Sequence, residues 1–188
     1  MPFQFEDSKI SGLKIVMPKQ FSDNRGTFSE TYKKSDFIGN GLIETFVQEN
    51  RSVSKKNVLR GLHYQINPKA QGKLVSVQRG KIFDVAVDIR RNSPYFGKYV
   101  SIMLESEKET MFWIPAGFAH GFLSLEDNTT VTYKTTEEYS PEHERGIIWN
   151  DPDIGIEWPS KDVIVTERDS EFPRFKQAQM NFKYGDRK

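Results

Sequence analysis

The sequence predicts an all-β protein, a sandwich or barrel of short strands. Three observations carry this. Apolar and polar residues alternate in short runs, turn residues separate the runs at similar spacing, and aromatics are abundant, with 14 Phe, 7 Tyr and 3 Trp making up 13% of the chain. Alternation suits sheets with one buried face, and large aromatics suit pleated surfaces and pocket walls.

The clearest run is "LVSVQRGKIFDVAVDIR". Leu74 to Gln78 leads into Arg79-Gly80, and Ile82 to Ile89 leads out. In the second half Phe83, Val85, Val87 and Ile89 share one face, while Asp84, Ala86, Asp88 and Arg90 share the other. Period-2 patterning across a glycine turn predicts a hairpin. "YVSIMLESE", "TMFWIPAG" and "TTVTYKTTEEY" continue the pattern. Helical signals are few. "KKSDFIGNG" predicts one short helix, with Ser35 as its cap and Gly39 or Gly41 as its stop. "SEFPRFKQAQ" predicts a further turn. The stretch from Trp149 to Asp162, rich in Pro, Asp and Gly, predicts an ordered loop after the main strands. No repeat or linker divides the 188 residues, so the expectation is one domain, residues 1–188, with a wrapped C-terminal tail.

Composition narrows the function. With 27 basic and 26 acidic residues the net charge is +1, which points to neither nucleic acid nor a membrane surface. No cysteine is present, which excludes disulfides and thiolate metal sites and suits a reducing cytoplasm. "MPFQFEDSKI" lacks the charged and apolar regions of a signal peptide, and no apolar run approaches the ~20 residues of a membrane span. A cytoplasmic protein is expected.

Three histidines frame the chemistry. "IPAGFAHGF" contains Pro-x-Gly-x-x-His, a turn that delivers His120 onto the following strand. It resembles the second motif of the cupin barrels, which implies a jelly-roll. The first cupin motif carries His-x-His and then Glu in metal-dependent members. Here "GLHYQINPKAQGKLVSVQRG" keeps His63 and the closing Gly80, but position 65 is Gln and no acidic residue lies between Leu59 and Arg79. His143, in "SPEHERG", reads as a surface turn. A metal centre wants three or four converging ligands, and this chain offers two histidines, so no metal is expected.

Polar residues on other strands weigh against two merely buried histidines. Arg60 precedes His63 by three, Lys73 opens "KLVSV", Tyr133 shares a face with Val131, and Gln48 and Asn50 share a face in "FVQENRSV". Burying such groups unpaired costs roughly 2–7 kcal/mol each, so several of them on strands imply a wet, ligand-sized cavity. A histidine is suited to take a proton, a lysine to hold the resulting oxyanion, and a tyrosine to return a proton. Strict alternation places Arg60 and His63 on opposite faces. Gly61 between them is the residue at which a bulge would bring both inward.

Seven blocks together resemble the dTDP-4-dehydrorhamnose 3,5-epimerase family, a metal-independent branch of the cupins. They are "DNRGTFSE", "FVQENRSVSKKNVLRGLHYQ", "QGKLVSVQRGKIFDVAVDIR", "SPYFGKY", "IPAGFAHGF", "YKTTEEYSPEHERGIIWNDPDIGIEWP" and "VTERDSEFP", in the family's order over nearly the whole chain. The resemblance implies a substrate, dTDP-4-dehydro-6-deoxy-D-glucose, inverted at C3 and C5 through enolates of its C4 ketone, without a cofactor. It implies His63 as general base and Asp169 as the carboxylate that orients it. Tyr133 is then the acid on the opposite face and Lys73 the enolate contact, with His120 in the same pocket. Arg25 and Arg60 are implied as diphosphate contacts, and Gln48 and Asn50 as nucleotide-sugar contacts. Phe28 and Glu30 are implied at the thymidine, and Tyr139 as a stacking partner for the base. A homodimer is implied too, its Arg25–Glu30 segment reaching the partner's site. The same residues would serve an enzyme inverting only C3 or only C5. A non-catalytic sugar-nucleotide binder would not need His63, Asp169 and Tyr133 together.

Overall fold

A computed structural model describes residues 2–185. In chain order the strands are β1 (Phe3–Asp7), β2 (Lys14–Pro18), β3 (Gln20–Asp23), β4 (Gly26–Ser29), β5 (Gln48–Ser54), β6 (Leu59–Gln65) and β7 (Lys73–Arg79). After them come β8 (Lys81–Asp88), β9 (Tyr99–Glu105), β10 (Met111–Ile114), β11 (Phe118–Ser124), β12 (Thr129–Thr135) and β13 (Glu144–Gly146). Helix α1 (Lys34–Gly39) precedes β5, and the single turn α2 (Glu167–Ser170) lies in the tail. One sheet runs β1-β2-β10-β7-β12-β5, the other β13-β6-β11-β8-β9, and β3 and β4 form a separate hairpin. Strands β5 to β8 alternate between the two large sheets, the winding of a jelly-roll, and every ladder is antiparallel.

Two of the three apolar clusters among the described residues position the site. Between the sheets, Val75 and Val77 of β7, Phe112 of β10 and Val131 of β12 meet Ile82 and Ala86 of β8 and Phe118 and Phe122 of β11. On the far side of the five-stranded sheet, Val85 and Val87 of β8 pack under Ile147, Ile154, Met180 and Phe182. The expected tail therefore wraps the barrel and covers the outer face of that sheet. This explains the pattern of β8: its apolar face looks outward to the tail, and its mixed face, with Ile82, Asp84 and Ala86, looks into the barrel.

Two expectations are corrected. The hairpin across Arg79-Gly80 does not form. Strand β7 pairs with β10 and β12, and β8 pairs with β11 and β9, so the turn carries the chain from one sheet to the other. Gly80 has φ +79°, and a Cβ there would lie 2.6 Å from Thr129 Oγ1, so the corner is tight enough to demand glycine. Alternation and a turn residue mark two strands in sequence; which neighbours they pair with is set by burial of both faces. Ser35 is not the helix cap either. The helix begins at Lys34 with Lys33 at the cap position and no side-chain cap bond. Its phase is set by Phe37, which is buried against Phe3, Phe5 and Tyr32. Ser35 falls inside the first turn, and the chain leaves at Asn40 and Gly41.

Gly61 meets the demand placed on it. Register along β6 and β11 pairs His120 with His63 but Phe122 with Arg60, so β6 carries one extra residue. Gly61 has φ +131°, and a Cβ would fall 2.5 Å from Gly121 Cα. Only glycine fits this bulge, and the bulge turns Arg60 and His63 to the same side.

Candidate active site

A cavity of about 620 Å³ opens between the two sheets. Strand β6 brings Arg60 and His63, β11 brings His120, β7 brings Lys73 and β12 brings Tyr133; α2 closes one side with Arg168 and Asp169. Tyr139 and Glu144 also line it. A polar recess lined by Gln48, Asn50 and Gln65 shares His63, Lys73 and Tyr133 with it.

His63 and Asp169 form the central pair. They lie 106 residues apart in sequence, and His63 Nε2 is 3.0 Å from Asp169 Oδ1. The other carboxylate oxygen accepts the Gly61 N–H at 3.2 Å, so the bulge also anchors the carboxylate. Thr166 caps α2 by accepting the Asp169 N–H, which fixes the turn that presents Asp169. Burial pulls the Asp169 carboxyl up, but hydrogen bonds and charge from His63, the Gly61 amide and Arg168 hold it below its ordinary value. An ionised Asp169 on Nε2 places the imidazole proton there and leaves the Nδ1 lone pair for a substrate. The ring meets Phe172 in a T-shaped contact, 5.5 Å between centroids.

Tyr133 stands on the sheet facing His63. Burial raises its phenol above the ordinary value, Arg60 offsets this in part, and Glu144 adds to it. Such a phenol stays protonated at neutral pH. Beside it, burial pushes the Lys73 ammonium down to about 8, against the pull of Glu144 and Asp84. A buried cation near an opening is a ready partner for a developing oxyanion.

His120 is buried, and its Nε2 lies 2.6 Å from Asp84 Oδ1. Burial lowers His120 while Asp84 raises it, with the net direction downward. Asp84 is 0% exposed. Alternation places it on the polar face of β8 and gives it no site role. The signal available was its register with Ile82 and Ala86, both interior. Glu144 and Arg168 were missed as well, because both lie in charged stretches that read as surface. Tyr139, 52% exposed at the mouth, donates its hydroxyl to Glu144 Oε2 at 2.8 Å.

Gln65, the position of the second cupin histidine, is 2% exposed. Its amide donates to the carbonyls of Lys69 at 2.6 Å and Glu138 at 3.2 Å, and its oxygen accepts the Ser140 N–H at 2.9 Å. It brackets the turn that carries Tyr139. Gln48 holds the same turn by accepting the Tyr139 N–H and donates to Asn50. His143 is half-buried in a turn beside Ser140 Oγ. Among the described residues, no three His, Cys, Asp or Glu stand together as a metal-holding set.

Arg25, Phe28 and Glu30 do not join the cavity of their own chain. They lie on or just beyond the β3–β4 hairpin, where Arg25 pairs with Asp23 in solvent and Phe28 is 66% exposed.

The sequence model for the dTDP-4-dehydrorhamnose 3,5-epimerase family matches residues 7–177. The chain belongs to this family. Among curated members, the dTDP-4-dehydrorhamnose 3,5-epimerase of Methanothermobacter thermautotrophicus is 50% identical over 170 residues, 89% of this chain and 91% of that protein. Among solved structures of the family's fold, a Legionella pneumophila epimerase in complex with dTDP-4-keto-L-rhamnose superposes with TM-score 0.93 at 41% identity. It covers 98% of this chain and 100% of its own. A 3'-monoepimerase from Streptomyces bikiniensis in complex with dTDP-quinovose superposes with TM-score 0.85 at 32% identity, over 90% of this chain and 86% of its own. The cupin jelly-roll is thus the family's shared scaffold. Among the described residues, no helix is long and apolar enough to cross a membrane.

Proposed function

We propose that the chain inverts C3 and C5 of dTDP-4-dehydro-6-deoxy-D-glucose to give dTDP-4-dehydro-L-rhamnose, on the route to dTDP-L-rhamnose. The C4 ketone acidifies the hydrogens at both carbons. His63 takes each proton, Asp169 stabilises the imidazolium that forms, Lys73 holds the enolate oxygen, and Tyr133 returns a proton from the other face. The observation that carries this reading is the placement of His63, with Asp169 of α2 on its Nε2, and of Tyr133 on facing sheets across one cavity. Inversion needs a base and an acid on opposite sides of one carbon.

Arg60 and His120 contact the substrate in this reading, Gln48 and Asn50 bind the nucleotide sugar, and Tyr139 stacks on the thymine. Arg25, Phe28 and Glu30 act in a homodimer, across the boundary into the partner's site. Support comes from the hairpin itself: Phe21 and Phe28 pair across it, and both are exposed, an apolar pair suited to a second copy. A chain without cysteine suits cytoplasmic work.

The test is NMR of the product after incubation with the dTDP-ketosugar in deuterated water. Deuterium and inversion at both C3 and C5 are expected. Inversion at one carbon alone would make this a monoepimerase, and no deuterium at either would refute the reading.

Lys73 gives a pH prediction. Its ammonium is present below about 8 and lost above it. The kcat/KM profile is therefore expected to fall on its basic side near pH 8. Lys73→Met should lower kcat/KM by about 10²–10³-fold and remove that basic limb. A variant that kept the limb would reassign it to another group.

A further inference from the structure

Arg168 has a place in the site that its surroundings define closely. Its Nη1 donates to Glu144 Oε2 at 2.8 Å, and the same oxygen accepts the Tyr139 hydroxyl at 2.8 Å. Its Nη2 lies 3.5 Å from His63 Nε2, and its Nε lies 3.4 Å from Asp169 Oδ1. The guanidinium face also lies over the Phe172 ring, 5.8 Å from its centroid. One cation therefore spans from the Tyr139 turn to the nitrogen of His63 that meets Asp169.

We propose that Arg168 is a positioning residue that sets the protonation of His63: clamped by Glu144, it holds a fixed positive charge beside Nε2 and keeps the imidazole free to accept a substrate proton. The inference rests on the reading of His63 as the base. A carboxylate beside an imidazole draws a second proton onto the ring, and a doubly protonated ring has no lone pair to offer a substrate. A cation at 3.5 Å opposes that charge. Arginine suits the task because it stays charged at any working pH.

Other charged groups face His63 from each neighbouring element, and none duplicates this contact. Arg60 lies on its own strand, beyond the bulge. His120 sits opposite on β11 and is turned to Asp84. Lys73 and Tyr133 face it across the cavity from β7 and β12. Glu144, on the adjoining strand β13, reaches Arg168 and Tyr139 instead.

The test needs no substrate. The chain has three histidines, so their ring Cε1–H signals can be followed by NMR titration, with His63→Asn assigning His63. In Arg168→Met the His63 midpoint is expected to rise by about one pH unit or more, while His143 stays in place. Arg168→Lys, which keeps the charge, is expected to stay near wild type. The side chain of Arg168 is 55% exposed, so both variants are expected to fold. An unmoved His63 midpoint in Arg168→Met would overturn the proposal, as would an equal shift in Arg168→Lys. A role limited to substrate binding would raise KM and leave the titration unchanged. Failure of the epimerase assay would leave this result standing, so the two failures are distinguishable.

Discussion

Alanine in place of His63 is expected to abolish epimerisation while leaving the fold intact. One placed base is worth about 10²–10⁴-fold, and here the same imidazole serves both carbons, so each step loses it. Deuterium exchange at C3 and C5 should vanish together with product. The fold should survive because the side chain is only part of the cavity wall, 23% exposed, and meets Phe172 in a single T-shaped contact. Asp169 would keep the Gly61 amide and Arg168 as partners, so its charge is not stranded. The check is the NMR assay together with a thermal melt. A purified, folded variant with near-normal turnover would remove His63 from the chemistry.

Tyr133→Phe separates two halves of the reaction. His63 still removes the proton and Lys73 still holds the enolate, so exchange with deuterated water continues. What is lost is delivery of a proton to the other face. Epimerised product should fall by about 10²–10⁴-fold, with exchange at C3 or C5 far less affected. The exchanged sugar should retain its starting configuration, because deuterium returns from the His63 side. Burial keeps the phenol protonated, so the wild-type donor is not expected to limit the rate at neutral pH. Equal loss of exchange and product would mean that Tyr133 also helps remove the proton.

How far the sequence reached depended on range. Local signals were legible: alternation in β8, the Pro115–Gly117 turn ahead of His120, the lone glycine at position 61. The partners of β7 and β8 were not, because a glycine turn between two alternating runs fits a hairpin and a crossover equally. Asp84 shows the same limit. Its burial follows from His120, 36 residues away, and from the tail covering the opposite face of β8. Period-2 reading sees only that Asp84 shares a face with Asp88. The His63–Asp169 pair was reached through motif resemblance, since nothing local to "ERDSEFP" marks a carboxylate that will meet a strand over a hundred residues earlier. Arg168 stands next to that carboxylate in sequence, yet only α2, a single turn, aims both side chains at one imidazole.

The bracket at Gln65 ties the cavity mouth to a position that cannot also serve a metal. A carboxamide both donates and accepts, and here it spends both capacities on main-chain groups at either side of Tyr139. An imidazole at that position, committed to a metal, would have no such pair to offer. Acquiring a metal ligand there would strip the Glu138 carbonyl and the Ser140 N–H of their side-chain partner and leave the turn at the cavity mouth held by Gln48 and Glu144.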